Sequence, residues 1–147
     1  MNSAQVITLG EALIDRLGPM GGDPAVDSPV LDCFGGAPAN VACALSRLGA
    51  NVAFIGSLGN DEFGEKFKNL LINRGINIVG LQRDELRPTR VVLVRRDLDG
   101  ERIFEGFEGN KGLGFADQAI SREQIIKDWP RVIDKAKWLI IGTIPLS

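Results

Sequence analysis

The nine residues from Asn51 to Gly59, NVAFIGSLG, are apolar or small almost throughout. A strand with no polar face must be covered on both sides, which is the situation inside a parallel sheet sandwiched between helices. The flanking segments supply those helices. From Ala37 onward the period is helical: Val41, Leu45 and Leu48 recur at i, i+4 and i+7, Pro38 suits the first turn, and Gly49 suits a left-handed C-terminal cap. Beyond the strand, Asn60 or Asp61 can cap a second helix whose apolar face is Phe63, Phe67, Leu70 and Leu71, closed by Gly75. QVITLG at Gln5–Gly10 and INIVGLQ at Ile76–Gln82 read as further strands. Strand, helix, strand, helix, strand is the order of an α/β fold with a parallel sheet.

Other segments have a different grain. Leu13, Asp15 and Leu17 alternate as in a half-buried strand, the pattern breaks at Gly18, Pro19, Gly21, Gly22, Asp23 and Pro24, and it resumes from Val30 to Phe34. TRVVLVRR and ERIFEGF are joined across Asp97–Gly100, whose Asp-Gly pair favours a hairpin with no crossover helix. Strands at about 13–17, 30–34, 89–96 and 101–107 are therefore expected to form a small second sheet over the main one, as a lid. Further on, Ser121 and Gln124 form a capping box for a helix to about Lys135, kinked or divided by Pro130. KWLIIGTIPLS reads as a last buried strand. A strand ending at Gly142 and Thr143 calls for another crossover, so the sequence reads as cut in mid-architecture.

Charge and composition narrow the function. A net charge of −2 with scattered Lys and Arg argues against nucleic acid or an anionic membrane as partner. No apolar run approaches the roughly 20 residues of a spanning helix, and the first residues lack the basic start of a secretory signal, so the cytoplasm is the expected location. There is no histidine, which removes Ser-His and Cys-His nucleophiles and the commonest metal ligand. Cys33 and Cys43, the only cysteines, read as free buried thiols.

The segment with chemical content is CFGGAPAN, Cys33–Asn40. Gly35 and Gly36 allow close approach to the backbone, a helix start presents unpaired N–H donors, and Asn40 adds an amide on the first turn. Asp15 adds a carboxylate able to accept two hydroxyl hydrogen bonds. Together these groups suit a neutral polyhydroxyl ligand. Taken singly, each is equally ordinary turn, capping or surface chemistry. GFEGNKGLG at Gly106–Gly114 is rich in glycine, but its spacing to Lys111 is not that of a phosphate loop.

GGAPANVACALSRLGANVAFIGSLG, Gly35–Gly59, resembles the first signature of the PfkB (ribokinase-like) carbohydrate kinases. GEALID at Gly10–Asp15, GNDEFG at Gly59–Gly64 and DLDGERIF at Asp97–Phe104 resemble, in the same order, segments of its fructokinase branch. The resemblance implies a ribokinase-like α/β fold, a parallel sheet flanked by helices with a small β lid, of which residues 1–147 are the N-terminal part. It implies ATP-dependent phosphorylation of a sugar hydroxyl, fructose to fructose 6-phosphate first, with ATP and Mg²⁺ as cofactors. Residues matching Asp15, Gly35, Gly36 and Asn40 would hold sugar hydroxyls, and Phe104 and Phe107 are candidates for apolar lid contacts. Strict alternation puts only one face of a strand inward, so either ring is equally able to face away. The family's Gly-Ala-Gly-Asp loop, which carries the catalytic base, is not in this sequence, so no catalytic residue is expected here and the chain alone is expected to be inactive. A homodimer through the lid is a further implication. Where many relatives carry an aromatic-Arg pair after the lid hairpin, this chain has Phe107 and Glu108, which argues against an acidic sugar; Lys111 is a nearby cation or a solvated loop residue. Two alternatives stay open: a kinase for ribose, a nucleoside or a ketodeoxy sugar acid, and a non-catalytic sugar-binding or assembly module.

Overall fold

The computed structural model describes residues 3–110 and 112–146, so Lys111 and Ser147 lie outside the described residues. In chain order the elements are β1 (Val6–Leu9), β2 (Leu13–Met20), β3 (Leu31–Gly35), α1 (Ala37–Arg47), β4 (Val52–Gly59), α2 (Glu62–Asn73), β5 (Leu81–Asp84), β6 (Val91–Arg96), β7 (Arg102–Glu108), α3 (Arg122–Ile133) and β8 (Trp138–Ile141). Strands β5, β4, β1 and β8 lie side by side in that order, all parallel.

Every residue of β4 is buried, because its two faces enter two different cores. Val52, Phe54 and Leu58 point to one side and meet Ala39 and Ala42 of α1 and Phe67 and Leu71 of α2. Ala53 and Ile55 point to the other and meet Ile7 and Val132 of α3. This is the two-sided cover that an all-apolar strand requires. Asp61 caps α2 as one of the two expected residues, its carboxylate accepting from Gly64 N–H at 2.7 Å.

Several expectations need correction. The third parallel strand is not Ile76–Gln82: the chain makes one bridge at Asn77, opposite Ala53, and then turns as the Asn77 Oδ1 accepts from Val79 N–H, so β5 starts at Leu81. The Asn side chain offers its own backbone a turn in place of a ladder. Helix α1 buries Pro38, Ala39 and Ala42 most fully; of the expected stripe Leu45 packs against that core, whereas Leu48 is 83% exposed. Small residues face inward because the helix lies close on the sheet. Ser121 Oγ does accept from Gln124 N–H, at 3.2 Å, but the Gln124 amide turns away to Asp128, so the capping box is not reciprocal. Helix α3 runs through Pro130, which lies on its exposed side where the lost hydrogen bond strands no buried group. The last strand is not buried: Trp138, Leu139 and Ile141 are exposed at the sheet edge. Both thiols are free but only half-buried.

The remaining strands form a second sheet, in the order β3, β2, β6, β7. Two antiparallel hairpins are joined through a parallel β2–β6 pair. At the tip of the second, Asp97 N–H donates to the Glu101 carbonyl, and Gly100 takes φ +87°, the left-handed residue of a three-residue hairpin loop. One face of this sheet docks on α2, where the Phe34 and Phe67 rings meet edge to face at 5.0 Å and Ile14 and Val91 join the main core. The other face is open. Among the described residues no helix is long and apolar enough to cross a membrane.

Candidate functional site

Cross-strand partners share a face, so the register of the second sheet says which residues line its open side. Cys33, Asp15, Val92 and Phe107 form one continuous row across β3, β2, β6 and β7. Leu31, Leu17, Val94 and Phe104 form the next. Phe104 and Phe107 are three apart and would lie on opposite faces of a regular strand. They lie on the same face because the β6–β7 register slips by one residue between Leu93 and Val94, where Gly106 adopts φ +128°. Their rings meet at 5.2 Å, and they remain 62% and 44% exposed.

Asp15 is half-buried at the centre of its row. Burial raises its carboxyl above the usual aspartate range, with the positive charge of Arg102 opposing the rise. Gly35 is pressed against that carboxylate. A Cβ there would fall far inside contact of Asp15 Oδ2 and 2.9 Å from Leu13 Cδ1, so the absence of a side chain is what lets Asp15 take its place. Gly36 follows as the N-cap of α1 at φ +98°, with no side chain to close the helix end; a Cβ would sit 2.5 Å from the Glu11 carbonyl oxygen. Asn40 stands exposed on the first turn, its backbone N–H bonded to the Gly36 carbonyl and its amide held by no side-chain hydrogen bond within the described residues. Asp15 and Gly35 are thus in contact, with Gly36 next in the chain at the start of α1, Asn40 one turn along it, and the two phenylalanines on the same sheet face as Asp15. A carboxylate acceptor, an uncapped helix start, a free amide and two rings are the groups a polyol needs.

Glu108 is turned the other way. Its register partner is Val91, on the docked face, where Arg16 pairs with both Glu108 and Asp32, the latter at 2.7 Å. The acidic residue therefore puts no charge on the open face. Among the described residues no donor set fits a Mg²⁺ ion. No group of three or more His, Cys, Asp or Glu side chains gathers where it could hold a metal ion, and the glycine-rich stretch after β7 leads only into a three-residue 3₁₀ turn, Ala116–Gln118.

Some residues of the junction between the sheets carry no sequence signal of the kind used above. Thr89 accepts from Gly59 N–H and binds both carboxylate oxygens of Asp61. Arg90 forms a buried ion pair with Asp117. Glu11 is 2% exposed, beside Gly142 and Pro38, and among the described residues its Oε2 has no hydrogen-bond partner. The one hint was a charged residue directly after an apolar run, as at Glu11, or directly before one, as at Arg90.

Residues 3–128 match the pfkB family carbohydrate kinases. Probable fructokinase-5 of Arabidopsis thaliana is 37% identical over 146 residues, covering 99% of this chain and 43% of the relative. The fructokinase of Escherichia coli is 43% identical over 102 residues, 69% of this chain and 31% of the relative. Among solved structures, a sugar kinase from Pyrococcus horikoshii in complex with ATP superposes with a TM-score of 0.80 at 29% identity over 96% of this chain. The fructokinase of Halothermothrix orenii does so with a TM-score of 0.75 at 30% identity over 97%. The two sheets and their helices are thus the ribokinase-like α/β fold. The chain spans less than half the length of each of these proteins.

Proposed function

The chain belongs to the pfkB family of carbohydrate kinases, and from that premise we propose that it serves the ATP-dependent phosphorylation of a sugar hydroxyl, fructose to fructose 6-phosphate, by supplying the sugar site and its lid. The observation that carries the reading is the contact between Asp15 and Gly35 at the uncapped start of α1, on the same sheet face as Phe104 and Phe107. The Asp15 carboxylate accepts sugar hydroxyls, the α1 start and Asn40 donate to them, and the rings cover the apolar C–H side of the sugar. That Glu108 is paired away from the open face while Asp15 stands on it favours a neutral sugar over a sugar acid.

Phosphoryl transfer depends mainly on an aligned hydroxyl, excluded water and compensation of phosphate charge. This chain's residues serve the first two: they bind and orient the acceptor, and the second sheet shields it from water. ATP supplies the phosphoryl group; its site, any Mg²⁺ and the catalytic base lie outside these residues, and the 147-residue chain alone is inactive as a kinase. The open face also carries Met20, Leu31 and Phe104, all about half exposed or more, which supports pairing of two lids in a homodimer.

The test is intact mass of the full gene product together with a fructose and ATP assay on the parent, Asp15→Ala and Asn40→Ala. Turnover of fructose by the parent, with KM raised in both variants, is the expected result. A parent that turns over only ribose, a nucleoside or a sugar acid overturns the choice of substrate. A parent that binds fructose without turnover identifies a binding module.

A further inference from the structure

The junction of the second sheet holds a charge pair that sugar binding as described does not use. Arg90 directly precedes β6, and its side chain is 3% exposed. Its Nε and one Nη each donate at 2.8 Å to the two carboxylate oxygens of Asp117, whose side chain is 1% exposed. The guanidinium carbon lies 4.8 Å from the centre of the Phe107 ring and 4.6 Å from that of Phe115, and the two rings are 5.5 Å apart. A bidentate pair fixes the plane of the guanidinium, not only its position. Rings packed on that plane inherit its orientation.

The clamp is tied to the strand that carries Asp15 and to the segment that leads into β6. Arg90 carbonyl accepts from Ile14 N–H at 2.9 Å, one residue before Asp15, and the turn that carries Asp117 is anchored by Ala116 N–H to the Pro88 carbonyl at 3.0 Å. Phe107 touches Arg90 while standing on the sheet face that carries Asp15, where it is 44% exposed. Stability does not account for the arrangement, since well-packed apolar residues commonly serve a buried position as well as an ion pair does. What the pair adds is orientation.

We infer that Arg90 is a positioning residue for the sugar: clamped by Asp117, it fixes the pose of the Phe107 ring over the site beside Asp15. The inference rests on the sugar-kinase reading above. It assigns Arg90 no contact with the reacting atoms.

The experiment compares the full gene product with Arg90→Lys, with Arg90→Met/Asp117→Leu and with Phe107→Ala, singly and combined. The apolar pair keeps a melting temperature near the parent's and a kcat within about twofold, while KM for fructose rises at least about fivefold. Arg90→Lys keeps the charge, loses the fork, and shifts KM the same way; it carries the test if the apolar pair does not fold. In the Phe107→Ala background neither change raises KM further. A folded variant with the parental KM, or a KM effect additive with Phe107→Ala, overturns the inference. If the parent turns over no hexose, the sugar-kinase reading falls, and the clamp is judged by NMR of ring-labelled phenylalanine: Phe107 ring shifts unmoved by Arg90→Lys overturn it, and displaced shifts uphold it.

Discussion

Asp61 ties the start of α2 to the entry of β6 through three hydrogen bonds, and replacing it by asparagine isolates one of them. Its Oδ1 accepts from Gly64 N–H at 2.7 Å and from the Thr89 hydroxyl at 2.8 Å, while Oδ2 accepts from Thr89 N–H at 2.7 Å. Thr89 is 2% exposed, so its N–H has no water to turn to. Asparagine caps a helix about as well as aspartate, and its remaining oxygen can keep both bonds made by Oδ1. Its NH₂ then faces Thr89 N–H, donor against donor. Stranding a buried N–H costs about 1–3 kcal/mol, and at this chain length each kcal/mol lowers Tm by roughly 2–4 °C. Asp61→Asn is therefore expected to lower Tm by about 6 °C in a thermal melt, and Asp61→Ala by more, because the cap is lost as well. In a Thr89→Val background the Asn penalty persists, since valine keeps the N–H. A Tm for Asp61→Asn within 1 °C of the parent would refute the argument that the Thr89 bond carries the junction.

Gly35→Ala places a methyl against Asp15 Oδ2 and Leu13 Cδ1; overpacking is expected to cost about 1–3 kcal/mol in a denaturant melt and to raise KM for fructose about tenfold as the carboxylate is displaced. Burial raises the Asp15 carboxyl, with Arg102 opposing, so the folded state holds this proton at a pH where the unfolded chain has released it: stability contributed by Asp15 falls as pH rises from the ordinary aspartate value of 3.8 through the raised one. Fructose affinity has the opposite trend, being lost on acidification through that same window, and in binding titrations against pH Asp15→Asn abolishes the dependence. Burial likewise raises the Cys43 thiol, against the nearby charge of Arg74, so mass-resolved alkylation at neutral pH should label Cys43 more slowly than a solvent-exposed model thiol.

The main sheet was legible because its signal is local. An all-apolar strand, two helical periods and Gly49 and Gly75 at positive φ leave little choice of arrangement. INIVGLQ misled because apolar content does not register an Asn77 side chain that offers the backbone a turn. The α1 face misled because periodicity ranks large residues first, whereas a helix packed close to a sheet turns alanines inward. Asp15 and Gly35 were legible as residue types, but their contact was not, since it depends on β2–β3 register. Phe104 and Phe107 fall on one face through a register slip, and a period-two rule cannot foresee that.

The second sheet is not attached through a single hinge. It is fastened to the main body by edge-to-face packing of Phe34 on Phe67, by the Asp61–Thr89 bonds and by the Arg90–Asp117 pair. All three lie at its base, on β3 and at the entry to β6, whereas the hairpin tip from Leu98 to Glu101 is exposed. On the proposed function, motion over the sugar is then expected as bending of the β6–β7 ribbon above its base. The weakest place in that ribbon is the slip at Gly106, where the ladder is interrupted and glycine adopts a backbone conformation other residues avoid. Phe107 lies on the fixed side of the slip and Phe104 on the mobile side. On the proposed function, Phe107 is then the ring held in place on the sheet face that carries Asp15, and Phe104, packed on it at 5.2 Å, is the ring carried by the outer part of the ribbon.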